Sequence, residues 1–161
     1  MSQPTKERPA QLDAPAVKTV MKYTAKAQVW CYRRTNGRVG ATWRVGSALR
    51  KPVPVLLLDH VGRKSGTKFT TPLLYLVDGE NLVVVASQGG MQKNPQWYLN
   101  LTAQPDTQVQ IKAELRRVRA TVADDERRVV LWPRLVELYA DFASYQTWTD
   151  RVIPVVILEP R

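Results

Sequence analysis

Apolar and polar positions divide the chain into short extended segments separated by polar turns, with helical spacing at intervals. Val53 to Val61 is an apolar run long enough for a central strand, with Pro52 and Pro54 confined to its start. Lys68 to Val77 reads as a second strand in which Pro72 marks a bulge or a sheet edge. Asp78-Gly79-Glu80-Asn81 is a hairpin signal, and Leu82 to Ser87 is the returning strand. Thr107 to Ala113 and Leu115 to Ala123 alternate with period two, and Val152 to Leu158 supplies a last strand. Helices are predicted over Pro15 to Arg34 and Pro95 to Ala103, the second with an Asn94 cap and Pro95 at its first position. Asp124-Asp125-Glu126 opens a third helical region, broken at Trp132-Pro133 and continuing through Tyr139; Tyr139, Phe142, Tyr145 and Trp148 then recur every three residues. Thr35 to Pro52 reads as an irregular connection. About six antiparallel strands with peripheral helices predict an α+β fold built on a small antiparallel barrel. Residues 1–13 read as a disordered leader, and 14–161 as one domain that includes an N-terminal amphipathic helix over 15–34.

Charge changes this picture by its distribution. The net charge is +10, yet residues 1–51 hold eleven Lys and Arg against Glu7 and Asp13, while the rest of the chain is nearly balanced. The N-terminal third is therefore a cationic attachment to a neutral body, suited to anionic lipid, a polyanionic ligand or nucleic acid. One cysteine, Cys31, excludes an internal disulfide, and with one histidine, His60, it excludes a four-ligand Cys/His zinc site. Both read as structural. No run has the length of a membrane span and none resembles a signal peptide, so a cytoplasmic location is expected.

The first helix carries two stripes. Val17, Val20, Met21, Thr24, Ala27, Gln28 and Cys31 follow one face, and Lys18, Lys22, Lys26, Trp30 and Arg33 an adjacent one. Two readings stay open: the apolar stripe packs on the domain, or residues 15–34 lie on an anionic membrane surface, peripheral to the inner face of the cell membrane.

The stretch from Val53 to Leu101 holds the candidate chemistry. Val61-Gly62-Arg63-Lys64-Ser65-Gly66 sets two cations and a hydroxyl between glycines, where backbone N–H groups and side-chain charge can converge on one anion. Its alternative is an exposed hairpin turn with solvated cations. Ala86-Ser87-Gln88-Gly89-Gly90 brings a hydroxyl and an amide to a strand end, where the serine can equally cap the following loop. Trp97 and Leu101 have helical spacing and can equally be core.

Gly62-Arg63-Lys64-Ser65-Gly66, Pro72-Leu73, Asp78-Gly79, Ala86-Ser87, Gly89-Gly90, Lys93-Asn94-Pro95, Trp97-Tyr98-Leu99-Asn100-Leu101, Val109-Gln110-Ile111 and Tyr145-Gln146, Trp148-Thr149-Asp150-Arg151 and Ile153-Pro154 occur in unbroken order. Together they resemble the deazaflavin (F420)-dependent nitroreductase and F420H2-dependent quinone reductase family of actinobacteria, over about Trp30 to Pro160. The resemblance implies a split β-barrel of the FMN-binding type, reduced coenzyme F420 as hydride donor and a quinone, menaquinone-like, as acceptor. Some members also reduce nitroimidazole prodrugs.

The resemblance further implies roles for residues. Arg63, Lys64 and Ser65 match phosphate-contacting positions, and Phe69, Thr70, Thr71, Pro72, Leu73 and Leu74 run beside the deazaflavin ring. Ala86, Ser87 and Gln88 meet the ring, while Trp97, Tyr98, Asn100 and Phe142 complete the pocket. Ser87, Tyr145 and Tyr139 are the candidate donors to the negative charge that develops on the acceptor; for the tyrosines and Phe142 a stripe covering the barrel mouth is an equal alternative. No protein nucleophile is required, since the cofactor carries the hydride. Gln88 stands where a lysine is usual, Phe69 where a basic residue is common, and Leu74 and Phe142 where tyrosines line the acceptor pocket of the prodrug-activating member. These departures predict retained quinone reduction and weak or absent activity on nitroaromatic compounds. Two other classes stay open: a non-catalytic binder of F420, flavin or haem, and a basic nucleic-acid-binding module. The second lacks any accompanying helix-turn-helix, zinc or RNP-like motif, and no nucleic acid is expected as partner.

Overall fold

The computed structural model describes residues 7–161. Its strands are β1 (Thr42–Trp43), β2 (Val53–Val61), β3 (Lys68–Leu74), β4 (Leu76–Asp78), β5 (Asn81–Val85), β6 (Asp106–Ile111), β7 (Glu114–Val122) and β8 (Val155–Pro160). The helices are α1 (Pro15–Arg34), α2 (Gln96–Ala103), α3 (Asp125–Leu138) and α4 (Asp141–Thr147). All pairings are antiparallel, in the order β1-β2-β6-β7-β8-β5-β4, with β3 on the free side of β2. The chain passes from β3 to β4 through Tyr75 alone. That short link draws the two ends of the sheet together and curls it into the expected antiparallel barrel.

Alternation along the strands buries both faces. Val83 and Val85 of β5, with Val155 and Ile157 of β8, pack beneath Leu131 and Leu135 of α3 and Phe142 of α4. Leu82, Val84, Val156 and Leu158 point to the opposite side, where Trp97 and Leu101 of α2 close the core. Full burial of such side chains stabilises the fold by about 1.5–3 kcal/mol each. Pro72 lies on β3, an edge strand, in register with Leu57, so its missing N–H breaks no ladder.

Several elements differ from expectation. Eight strands form where six were predicted: 68–77 divides at Tyr75, and β1 lies within the segment read as irregular. The break at Trp132-Pro133 does not occur, because Pro133 deprives only the Val129 carbonyl of its donor. Val129 is 73% exposed, so water can satisfy that carbonyl while Leu131 and Leu135 stay buried. Asn94 does not cap α2; Pro95 occupies the cap position, and Asn94 Oδ1 instead accepts from Arg151 at 2.8 Å. In the leader, residues 1–6 lie outside the described residues, but Ala10–Asp13 form a 3-10 turn rather than disordered chain. Arg8 fixes that segment by binding Asp13 and donating to the Gly89 carbonyl at 3.1 Å, a contact across the chain that local composition does not reveal.

Helix α1 is anchored at one end. Tyr32 is its buried residue, and the hydroxyl accepts from the Lys112 N–H at 2.8 Å and donates to the Val55 carbonyl at 3.0 Å. Further toward its N-terminus the helix stands over β3 rather than sinking into the core. The space between them is the cleft.

Candidate functional site

The β2–β3 turn closes tightly on itself. Gly62 donates to the Thr67 carbonyl and Gly66 to the Gly62 carbonyl, both at 2.8 Å, while Ser65 Oγ accepts from the Thr67 N–H at 3.2 Å. A Cβ on Gly62 would fall 2.5 Å from Ser65 Oγ, so glycine is what lets the hydroxyl fold inward. Beside the turn is a cavity of about 730 Å³ lined by Lys22 and Lys26 of α1, Arg63, Lys64 and Ser65 of the turn, His60, Phe69, Thr70, Thr71, Gln96, Trp97 and Asn100. Four cations and no carboxylate line it. The cavity is suited to a polyanion.

The arginine is pre-set. Its guanidinium Nη1 donates to Gln96 Oε1 at 2.9 Å and to Asn100 Oδ1 at 3.2 Å, and its backbone N–H reaches the same Asn100 oxygen at 3.1 Å. Asn100 Nδ2 in turn donates to His60 Nδ1 at 3.0 Å, which leaves the proton of the neutral ring on Nε2, 2.9 Å from Thr71 Oγ1. The imidazole is buried and stacks on Phe69 with centroids 5.5 Å apart. Burial holds its pKa below the usual histidine value, with Asp59 opposing in part.

Ala25, Thr71 and Trp97 border this cavity and also a second one of about 540 Å³, so the two are consecutive parts of one cleft. The second part is largely apolar. Val20, Met21, Trp43, Val55, Pro72, Leu73, Leu74, Val85 and Phe142 line it, and its polar groups are Thr24 and Gln28 of α1, Thr71, Ser87, Gln88, Tyr139 and Tyr145. The Tyr139 and Tyr145 hydroxyls are 3.4 Å apart, and Phe142 meets the Tyr139 ring edge-on at 5.1 Å. Burial pushes both phenols above the ordinary tyrosine value, so they stay protonated and available as donors.

Ser87 is held by its neighbours' backbone. Arg151 donates to the carbonyls of Ala86 (3.1 Å), Ser87 (2.9 Å) and Met91 (2.9 Å) and to Asn94 Oδ1, stapling residues 86–94 to the segment before β8. Gly90, at φ +75°, lets that loop touch α4; a Cβ there would lie 2.8 Å from the Tyr145 carbonyl. Gln88 also takes a positive φ, +45°.

Of the residues singled out from sequence, Arg63, Lys64, Ser65, Phe69, Thr70, Thr71, Trp97 and Asn100 gather at the cationic part. Thr71, Pro72, Leu73, Leu74, Ser87, Gln88, Trp97, Tyr139, Phe142 and Tyr145 gather at the apolar part. Trp97 is both core and wall, being 6% exposed. Two stand apart. Ala86 is fully buried beneath Ser87, and Tyr98 faces a separate cavity with Leu101, Pro105 and Val156 because it falls on the opposite side of α2 from Asn100. Four contributors are not singled out by the sequence. Lys22 and Lys26, spaced by four, read there only as a helix stripe within the cationic N-terminal third; Gln96 follows Pro95 directly; His60 reads as structural.

Comparison with known proteins places the sequence and fold among relatives of one family. The sequence profile described as F420H(2)-dependent quinone reductase matches residues 24–160. A Mycobacterium tuberculosis (strain ATCC 25618 / H37Rv) protein that carries the same family name is 57% identical over 118 residues, covering 73% of this chain and 99% of its own. A second protein of that strain, an F420H(2)-dependent quinone reductase, is 38% identical over 133 residues, covering 81% and 85% respectively. A solved F420-H2 dependent reductase superposes with TM-score 0.61 at 39% identity, covering 66% of this chain and 94% of that one.

Proposed function

The chain belongs to the F420H(2)-dependent quinone reductase family, and on that premise we propose that it transfers a hydride from reduced coenzyme F420 to a quinone inside the two-part cleft. The observation that carries this reading is the junction of a carboxylate-free cationic cavity with an apolar one at Thr71 and Trp97. Such a cleft matches a ligand with an anionic tail and a flat ring.

In this reading Arg63, Lys64 and Ser65 hold the coenzyme's phosphate, Arg63 with its fork already oriented by Gln96 and Asn100. Lys22 and Lys26 supply the charge that Gln88 and Phe69 do not. The bound deazaflavin supplies a two-electron hydride. The protein's part is to stack a flat quinone in the apolar cavity and exclude water there. Tyr145, with Tyr139 hydrogen-bonded behind it, and Ser87 are placed to donate to the acceptor oxygen as its charge grows. Leu74 and Phe142 line the wall without the phenols that the prodrug-activating member carries there, which makes the pocket more apolar, so nitroaromatic reduction is weak or absent.

The exposed flank of α1 extends the reading. Tyr23 and Trp30 are 65% and 67% exposed on the same helix as Lys18, Arg33 and Arg34, a pattern that suits contact with an anionic membrane surface, where a lipid-soluble quinone would be met. No described helix is long and apolar enough to cross a membrane. Flotation with vesicles containing phosphatidylglycerol, lost when Trp30 and Tyr23 become serine, tests this part.

Titration with oxidised F420 beside flavin mononucleotide tests the core of the proposal. Saturable binding of the deazaflavin with far weaker binding of the flavin supports it; equal binding of both, or of neither, overturns it.

A further inference from the structure

His60 is the chain's single histidine, and both of its ring nitrogens are committed, Nδ1 to Asn100 in the cationic cavity and Nε2 to Thr71, where that cavity meets the apolar one. Asn100 has one amide to orient. Its oxygen can serve the Arg63 N–H and guanidinium only while its nitrogen faces an acceptor, and that acceptor is His60 Nδ1. We propose that His60 is a positioning residue: through Asn100 it aims Arg63 at the anionic part of the bound coenzyme, and through Thr71 it fixes the hydroxyl where the cationic cavity meets the apolar one. This rests on the reading of the cleft as an F420 site.

The arrangement makes the site sensitive to one proton. A doubly protonated ring presents Nδ1–H to the Asn100 NH2, donor against donor. Turning the amide relieves that conflict but sets its NH2 against the Arg63 donors, so Arg63 loses its support. The surrounding charges are mostly positive. Lys22 and Lys26 of α1 and Arg63 and Lys64 of the turn share the cationic cavity with His60. Arg33, Lys68, Arg117 and Arg161, with Asp59 and Asp106, share the polar cavity on its other side. Asp59, beside it on β2, is already bound by Arg33 at 2.8 Å and by Thr70 at 2.7 Å. A bound anion attracts a charged imidazole, so the sign of the pH effect decides between that attraction and the lost hydrogen bond.

Affinity for oxidised F420, read from the coenzyme's own fluorescence at pH 7.5 and pH 5.5, tests the proposal in the wild type, H60N, H60Q and H60L. An asparagine carbonyl can stand at the place of Nδ1 and accept from Asn100, whereas glutamine reaches only toward Thr71. H60N should bind within about threefold of the wild type at pH 7.5, and H60Q and H60L about tenfold more weakly. The wild type should lose affinity on acidification relative to H60N. Nitrogen-15 NMR of the one histidine should show the Nε2–H tautomer in the free protein. Folded H60L or H60Q binding as tightly as the wild type, parallel pH profiles for wild type and H60N, or the Nδ1–H tautomer would each overturn the proposal. Should H60L fail to fold, H60Q and the NMR measurement decide. A wild type that binds no F420 at either pH refutes the coenzyme reading instead, and the tautomer still reports on the Asn100 contact.

Discussion

The two parts of the cleft share Thr71 and Trp97 but are held by different forces. At the cationic part the ligand-facing groups Arg63, Lys64 and Ser65 are exposed, and the geometry depends on a few directed bonds from Gln96, Asn100 and His60. At the apolar part Tyr139 and Phe142 are each 4% exposed and belong to the core under α3 and β8. One wall is an electrostatic scaffold open to solvent, the other a continuation of the hydrophobic core. Coenzyme binding should therefore yield to salt and to single polar substitutions without loss of folding, while the acceptor pocket cannot be altered in volume without altering stability.

The largest effect is expected where wall and core coincide. Phe142→Ala should destabilise the fold by about 3–5 kcal/mol, seen as a lowered denaturation midpoint; a wild-type midpoint would detach the apolar wall from the core. Arg63→Ala should do the reverse, weakening F420 binding about ten- to a hundredfold with little change in midpoint, since a charge-assisted hydrogen bond contributes about 1.5–3 kcal/mol. Tyr145→Phe should lower kcat for menadione about tenfold and leave coenzyme affinity alone. Because burial raises both tyrosine pKa values above the ordinary phenol value, turnover should show no loss from phenol ionisation between pH 7 and pH 9. Lys26→Ala should weaken coenzyme binding only about threefold, an effect that fades in 0.5 M salt. A smaller stability effect follows from His60. Its folded pKa lies below the unfolded value of about 6.5, so the unfolded chain binds the proton more readily. Its contribution is complete above that pH and declines as pH falls toward the folded value, and a urea midpoint measured against H60N isolates it.

How far the sequence reveals this site depends on distance along the chain. The turn from Gly62 to Gly66, Ser87 just past a strand end and the Trp97–Asn100 helix start are contiguous motifs, and the first two adjoin strands that stand out as apolar runs between turn signals. The barrel was legible for the same reason, although the division at Tyr75 and the two-residue β1 were not, because neither interrupts or extends a periodic run. Lys22 and Lys26 could be seen as a stripe but not as a wall, since only the anchoring of Tyr32 against Val55 and Lys112 turns α1 over β3. His60 was opaque for a sharper reason. Its meaning lies in a contact to Asn100, forty positions away, and a lone histidine in an apolar strand carries no local sign of it. Tyr98 differs in the opposite direction: the family resemblance implies a place in the pocket, and the helical turn of α2 sends it to another cavity.

The account stands most directly on one measurement, the single-turnover oxidation of reduced F420 by menadione in the presence of the purified protein. Oxidation that saturates with enzyme-bound coenzyme, depends on the quinone and is slowed by both Arg63→Ala and Tyr145→Phe is the predicted result. Reduced coenzyme that binds but stays reduced at saturating menadione would contradict the account and leave the cleft as a binding site without transfer.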